Sequence, residues 1–335
     1  MKTEIVPFAS DMIAEAAALL AQRHRRQRQR LPLLPLRFED EATAARALES
    51  LLQKQTTNGY AALREGQMVA YLLGAWTVEP WGRCGWIRLP GSALAEGEDA
   101  TTLQNLYVLL GDDWTKQGVF THHIYLSVAE PNIIEAFFNL DFGKERIDAI
   151  LDFQEVTIPA IEVPPGIEIR RAVSGDNALL SSFSSIIAQE LAKAPYWHPT
   201  PPEVWPDLAE GWAELADDPT LNIWLAMEGE QALGMIGFWA YEATDEDMLA
   251  SPKMSYLSVA ATRAEARGRG ISTALTWTGL AHCRDQADDY CISNWISPNL
   301  AASRFWPRFG FQEVAYRLTR HINPMIAWTR RDNGY

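Results

Sequence analysis

The chain has 335 residues, 47% of them hydrophobic, enough to bury the cores of two domains of about 150 residues each. Lys and Arg number 29 against 43 Asp and Glu, for a formal charge of −14, with 15 basic and 21 acidic residues up to position 160. An acidic balance in both halves excludes a nucleic-acid binder, because phosphate backbones need a basic surface, and it weakly favours a cationic or neutral substrate. The three cysteines, Cys84, Cys283 and Cys291, show neither CxxC nor His-paired spacing, so neither a disulfide scaffold nor a metal site is expected, and the expected compartment is a reducing one. Asp11 and Glu15 interrupt the apolar N-terminal stretch, which a signal-peptide core would not tolerate, and no run of 18 apolar residues occurs. These features point to a soluble, cytoplasmic protein.

In chain order, residues 4–11 (EIVPFASD) read as a short strand and a polar turn, followed by a helix from Met12 to Ala21. Arg23–Arg30 holds five arginines in eight residues; with the chain so acidic, the run reads as a solvated helix end rather than a phosphate patch. Strand-like Gly85–Leu89 is followed by Pro90–Ala100, and Asn132–Phe138 leads to Phe142-Gly143. Pro159, Pro164 and Pro165 mark a linker at 156–166, because proline removes donors and helical dihedrals. The pattern then restarts. Residues 168–176 (EIRRAVSGD) repeat the opening, with a helix over Ala178–Leu191, and Asn299–Phe305 leads to Phe309-Gly310. The offset from Asn to Gly is 11 in both places, a duplication with a period of about 165 residues. The expected domains are 1–155 and 167–335.

Each half alternates strand-like and helix-like segments, the mark of a mixed α/β fold. In the second half, strands are expected at Asn222–Met227, Ala232–Tyr241, Met254–Thr262, Tyr290–Ile296 and Gln312–Thr319. A helix is expected over Ile271–Gln286, with a short one over Asn299–Phe309. Between strand Met254–Thr262 and that first helix stands Arg267-Gly268-Arg269-Gly270-Ile271-Ser272. Two glycines let the backbone curl with its amides converging, and the helix N-terminus adds unpaired N–H groups and a positive dipole end. The combination suits an anion such as a pyrophosphate. As a plain strand-to-helix turn it would carry two solvated arginines.

Residues 167 to about 320 resemble the GNAT N-acyltransferase superfamily. The family's pyrophosphate pattern (Arg or Gln, two residues, Gly, one residue, Gly or Ala) matches Arg267 and Gly270, with small Ser272 in the last place. Asn299, Ala302, Phe305 and Gly310-Phe311 match its downstream pattern. The resemblance implies two tandem GNAT-like domains, each a mostly antiparallel central sheet flanked by helices. It implies acetyl-CoA or another acyl-CoA as co-substrate, held by Ala260, Ala261, Thr262, Arg267, Gly268, Arg269, Gly270, Ile271, Ser272 and Asn299. Asn299 would also suit a helix N-cap. The implied activity is N-acyl transfer to the amine of a small molecule or peptide by the second half, as a monomer or homodimer, without nucleic acid or membrane. The alternative is a non-catalytic acyl-CoA-binding or scaffold protein.

Catalytic residues depart from the family pattern. Where a tyrosine often protonates the departing thiolate stands Trp306, and residues 254–262 carry no carboxylate. Glu242, Tyr256 and Tyr316 remain as catalytic candidates; Asp245, Glu246, Asp247 and His198 read as solvated loop residues. Tyr196, Trp197 and Trp205 would form an aromatic wall at the acceptor site, or pack against the other half. In the first half, the place of the phosphate loop holds Glu96, Glu98 and Asp99, which would repel a phosphate. That half reads as a degenerate copy with a structural or substrate-shaping role.

Overall fold

The computed structural model describes residues 3–80, 82–218 and 220–329. Two compact units are present, and neither is contiguous in sequence. The first contains residues up to Ile147, Ala243–Ala250 and the chain from Glu313 on; the second contains Asp148–Glu242 and Ser251–Gln312. The spatial units thus differ from the sequence division at 156–166. The reason lies in the sheets: a strand from the second half closes the first unit's sheet, and residues from the first half border the second unit's sheet.

The first half runs β1 (Glu4–Pro7), α1 (Ile13–Arg30), α2 (Glu41–Leu52), β2 (Asn58–Arg64), β3 (Gln67–Glu79), β4 (Gly82–Ile87), β5 (Ser92–Leu94), α3 (Thr101–Lys116), β6 (Thr121–Ser127), α4 (Pro131–Phe138) and β7 (Gly143–Asp152). The second half runs β8 (Glu168–Arg171), α5 (Asn177–Ser181), α6 (Ser184–Leu191), α7 (Trp205–Glu214), β9 (Leu221–Glu228), β10 (Gln231–Ala240), β11 (Met254–Thr262), α8 (Ile271–Asp285), β12 (Tyr290–Ile296), α9 (Leu300–Phe305) and β13 (Gln312–His321). The mixed α/β expectation holds, and the expected strand β11 matches to the residue. The expected helix over Ala178–Leu191 is broken into α5 and α6.

In the first unit, β1 to β4 pair antiparallel in succession, β4 pairs parallel with β6, and β13 pairs antiparallel with β6. The core on the α3–α4 face gathers Leu72, Ile87, Trp114, Ile124, Phe137 and Leu318, all fully buried. Trp114 lies flat over Gly74 and Gly85, where an added Cβ would meet the indole at 2.6 and 2.4 Å. Any side chain there would displace the largest member of the core.

The arginine run is a solvated helix end only at Arg25 and Arg30, which are exposed. α1 extends nine residues beyond the expected Ala21, to Arg30, and Arg23 is only 1% exposed. Its Nη1 donates to the carbonyl oxygens of Leu89 (2.9 Å) and Ser92, and its Nε lies 3.2 Å from Glu130 Oε2. Arg26 donates to Leu94 O at 2.8 Å and Arg30 to Ala129 O at 2.9 Å. Backbone carbonyls and one carboxylate here replace part of the water around a surface arginine, while Arg23 Nη2 is buried with no hydrogen-bond partner among the described residues, so the chain's net charge says nothing about these positions.

In the second unit, β8, β9, β10 and β11 pair antiparallel and β11 pairs parallel with β12. Its core centres on Leu180, Phe183, Ile223, Leu225 and Met235. On the other face α8 approaches β10 so closely that a Cβ on Gly279 would lie 2.0 Å from the ring of Phe238.

Two buried histidines make the first unit sensitive to acid. Burial pushes the pKa of His122 and of His24 down from 6.5 to about 4. His122 Nε2 lies 3.0 Å from Val119 O and its Nδ1 2.7 Å from the Tyr107 hydroxyl, contacts that a neutral ring satisfies by donating to the carbonyl and accepting from the hydroxyl. Because the folded pKa lies below the unfolded one, stability is complete above pH 6.5 and is lost as pH falls from there toward 4. Lowering the pH from 7.5 to 5 is expected to destabilise the unit by about 2 kcal/mol per histidine. Urea unfolding followed at both pH values measures the difference.

Candidate functional site

β11 and β12 pair only over their first residues, from Met254 opposite Tyr290 to Leu257 opposite Ser293. Beyond that point they part. A bulge at Ser258 shifts the register of β11 against β10, which continues to hold Val259–Thr262 on the other side. Ser293 Oγ donates to Leu257 O (3.0 Å) at the last paired position. Among the described residues, no side chain bonds the backbone of Ser258–Ala261. An exposed edge of peptide groups therefore lines a cleft that opens from the vertex at Leu257.

The same strand leads into the glycine loop. A 3-10 turn at Ala264–Ala266 precedes Arg267, and Gly268 and Gly270 have φ of +77° and +83°, left-handed conformations that favour glycine. Gly270 is the N-cap of α8 and its carbonyl accepts from Ala274 N at 3.0 Å. The amides of residues 268–273 donate to no group among the described residues, so they remain available. Thr262 and Ser272 hydroxyls bond at 2.7 Å and tie the strand end to the helix start. Arg267 reaches Glu190 (3.2 Å) and Arg269 reaches Glu228 (2.6 Å); all four side chains are part-exposed. Hydrogen bonds from Lys193 and then Arg267 hold Glu190 below the usual carboxylate range, and Arg269 does the same for Glu228. Free amides, a helix N-terminus and two part-exposed guanidinium groups form a donor set that fits a diphosphate.

On the opposite wall, Asn299 caps α9, with its Oδ1 accepting from Ala302 N (3.0 Å) and from the Tyr196 hydroxyl (3.4 Å). Thus the cap reading is realised, and Tyr196 is brought to the same corner. Asn132 does not repeat the role, since it lies inside α4, whose N-cap is Glu130. Trp197 is 73% exposed, and Trp205 is exposed with its indole N–H on Thr200 O (3.1 Å). Trp306 is buried in an aromatic group with Phe305, Phe309 and Phe311 at ring separations of 4.9, 6.3 and 6.0 Å.

The catalytic candidates scatter. Tyr256 stands one residue before the vertex, half-buried, near the rings of Trp239 (6.5 Å) and Tyr241 (6.1 Å). Its oxygen accepts from Asn294 Nδ2 at 2.9 Å, which leaves its own proton to donate elsewhere. Glu242 is exposed. Tyr316 belongs to the first unit, where it donates to Glu313, and burial pushes its pKa up. Asp245, Glu246 and Asp247 also fall in the first unit. Glu246 pairs there with Lys54 and Ser50, and Asp247 Oδ1 accepts from Leu249 N. Asn294 was missed by sequence reasoning, since only the parallel register brings it beside Tyr256. Among the described residues no group of three or more His, Cys, Asp or Glu could hold a metal ion.

A strand pair that parts beside an amide-lined helix start can now be set against known proteins. The sequence profile of the Acetyltransferase (GNAT) family matches residues 187–311. The second half carries a GNAT domain. The chain is similar in structure to a GCN5-related N-acetyltransferase from Sphaerobacter thermophilus, with TM-score 0.58, 16% identity and 95% of each chain covered. It is also similar to a tandem GNAT protein from the clavulanic acid biosynthesis pathway (TM-score 0.53, 12% identity, 96% and 99% covered). A third likeness is to the GCN5-related glucosamine N-acetyltransferase region of a fungal multi-domain β-N-acetylglucosaminidase, with TM-score 0.56 and 15% identity. That match covers 95% of this chain and 38% of the fungal one. A search of curated proteins found no match. Along its whole length the chain therefore has the fold of tandem GNAT proteins.

The capping role of Asn299 is tested by substitution. Asn299→Ala removes the cap of α9 and is expected to cost about 1 kcal/mol, while Asn299→Ser keeps a capping oxygen and most of the stability. Thermal unfolding of the two variants beside the wild type checks this.

Proposed function

We propose that the second unit is an acyl-CoA-dependent N-acyltransferase that moves an acetyl group from acetyl-CoA to the amine of a small molecule or peptide. The observation that carries this reading is the continuity of the bare edge of β11 with the unpartnered amides at the start of α8. Residues Ala260–Thr262 would bond an extended amide-bearing arm, and Arg267–Ser272 would hold a diphosphate, with the two arginines leaving Glu190 and Glu228 to do so. Asn299, already bonded to Tyr196, would contact the ligand from the opposite wall.

Acetyl-CoA would supply an acyl group activated as a thioester. Attack by a neutral amine forms the C–N bond, breaks the C–S bond, and requires one proton to leave nitrogen and one to reach sulfur. Of the catalytic candidates, Tyr256 has the best supported role: its oxygen accepts from Asn294, so its O–H can donate toward the cleft. Trp306 has no acidic proton and is buried among phenylalanines, which fits a packing role. Tyr196, Trp197 and Trp205, next to a stretch from 194 to 252 free of Lys and Arg, suit a cationic amine. Among the described residues no helix is long and apolar enough to cross a membrane. The three cysteines are buried and free, which suits a reducing, cytoplasmic setting. Neither half has the charge for nucleic acid, and the chain would act as a monomer or homodimer.

The second reading, a non-catalytic acyl-CoA binder, is favoured by the carboxylate-free strand and by Trp306. Calorimetric titration with acetyl-CoA and a free-thiol assay with amine acceptors separate the two. Micromolar binding, about −8 kcal/mol, is expected in the wild type and none in Gly270→Glu, whose side chain would fill the diphosphate position. Tyr256→Phe is expected to lower kcat roughly 100-fold while leaving the KM for acetyl-CoA unchanged. Binding without thiol release in any amine would favour the binder, and full kcat in Tyr256→Phe would move proton delivery to another group.

A further inference from the structure

The first unit contains the same parting of strands. β4 and β6 pair from Cys84 opposite Thr121 to Ile87 opposite Ile124, and then separate. The chain turns through Leu89–Gly91 into β5, which returns to β3 with Ser92 opposite Leu72 and Leu94 opposite Ala70. As on β11, this leaves one edge without a strand beside it. Here the edge is occupied. Arg23 donates to Leu89 O and Ser92 O, and Arg26 to Leu94 O. On the facing wall Arg23 and Gln27 meet the Glu130 carboxylate, and Arg30 donates to Ala129 O. The side chains of α1 thus span the cleft from wall to wall. The space left beside Arg23, Leu89 and Ser127 is a cavity of about 10 Å3, room for one water.

The helix start that follows β5 carries an anion of its own. Asp99 Oδ1 accepts from the backbone N–H of Thr101, in the first turn of α3, at 2.8 Å. That bond, followed by one to the Thr101 hydroxyl, holds Asp99 below the usual carboxylate range. Glu98 pairs with Arg64. The anion at this helix start is therefore the chain's own carboxylate, and Asp99 and Glu98 repel a phosphate as well.

We infer that Arg23 and Arg26 of α1 are internal occupants of a cofactor cleft in the first unit, with Asp99 repelling phosphate at the start of α3, so that each chain takes up one acyl-CoA, in the second unit only. This rests on the proposed function for its count of one. The self-occupation itself rests on bonds within the first unit. Arginine suits such an occupant because it carries five fixed donors, its charge is never lost, and Glu130 balances it. A leucine there would exclude ligand equally well but would take away the Arg23 donor from the buried Leu89 O and Ser92 O.

The test uses the full chain with acetyl-CoA as the probe. Calorimetry should return one site per chain in the wild type and none in Gly270→Glu. Two sites, or one site surviving in Gly270→Glu, would overturn the inference. No binding to the wild type would instead count against the proposed function, and self-occupation would then be judged by stability alone. Arg23→Met, which keeps the bulk but not the donors, should lower the first unfolding midpoint by at least about 5 °C, or fail to fold. Arg26→Ala, whose target carbonyl is less enclosed, should fold and lower it by a smaller amount. Wild-type midpoints in both variants would show that the arginines do not fill the cleft.

Discussion

A parallel strand pair that separates half-way along leaves a row of peptide groups with no neighbour, and much of this protein follows from how each row is satisfied. A buried, unpaired backbone carbonyl or amide costs free energy on the scale of a lost hydrogen bond, so the row needs water, a ligand or the protein's own donors. In the second unit the separation begins after Leu257 and Ser293, and the row on Ser258–Ala261 stays open beside the free amides of α8. In the first unit it begins after Ile87 and Ile124, and α1 covers it. One geometry thus supports two opposite outcomes, and the side chains of a single helix decide between them.

The decision is electrostatic in both units. At the open site, Arg267 and Arg269 rest on Glu190 and Glu228 at a part-exposed surface, where such pairs contribute little and can be exchanged for a phosphate at small cost. At the closed site, Arg23 is held by two carbonyls and a carboxylate with almost no exposure. Removing any one partner there would strand a buried charge or a buried carbonyl, which makes the filled state hard to reverse. Exposure, rather than the number of arginines, separates guanidinium groups that can change partners from those locked into the fold.

This contrast explains what the sequence made legible. Glycine spacing identified the loop because φ values of +77° and +83° are left-handed conformations open to few other residues, a purely local requirement. The strand before it and the helix after it were readable from their apolar periods, and the Asn299 cap from its place before a helix. Arg23 and Arg26 were misread because a summed charge of −14 carries no information on which carbonyls lie within reach of α1. Asn294 was missed for a similar reason, since its bond to Tyr256 depends on the register of two strands 38 residues apart. The placement of β13 was equally hidden: alternation shows which face of a strand is buried, but not which edge it will join.

That edge is specified by polar pairs rather than by apolar surface. β13 lies antiparallel to β6 with Arg317 opposite Tyr125 and Thr319 opposite His123. Arg317 forms two bonds to Glu145 (3.0 and 2.7 Å), and the Thr319 hydroxyl donates to Glu145 and pairs with His123 Nδ1 at 2.7 Å. Burial alone would raise the Glu145 pKa, yet the bonds from His123, Arg317 and Thr319 hold it well below the usual range, so it remains charged. A slip of one residue would turn Leu318 out of the core. A slip of two would keep an apolar face inward but take Arg317 away from Glu145 and leave a part-buried carboxylate without its cation. Apolar packing alone would tolerate the second error. The Glu145 network does not, and it gives a strand from the far end of the chain one seat in the first unit's sheet.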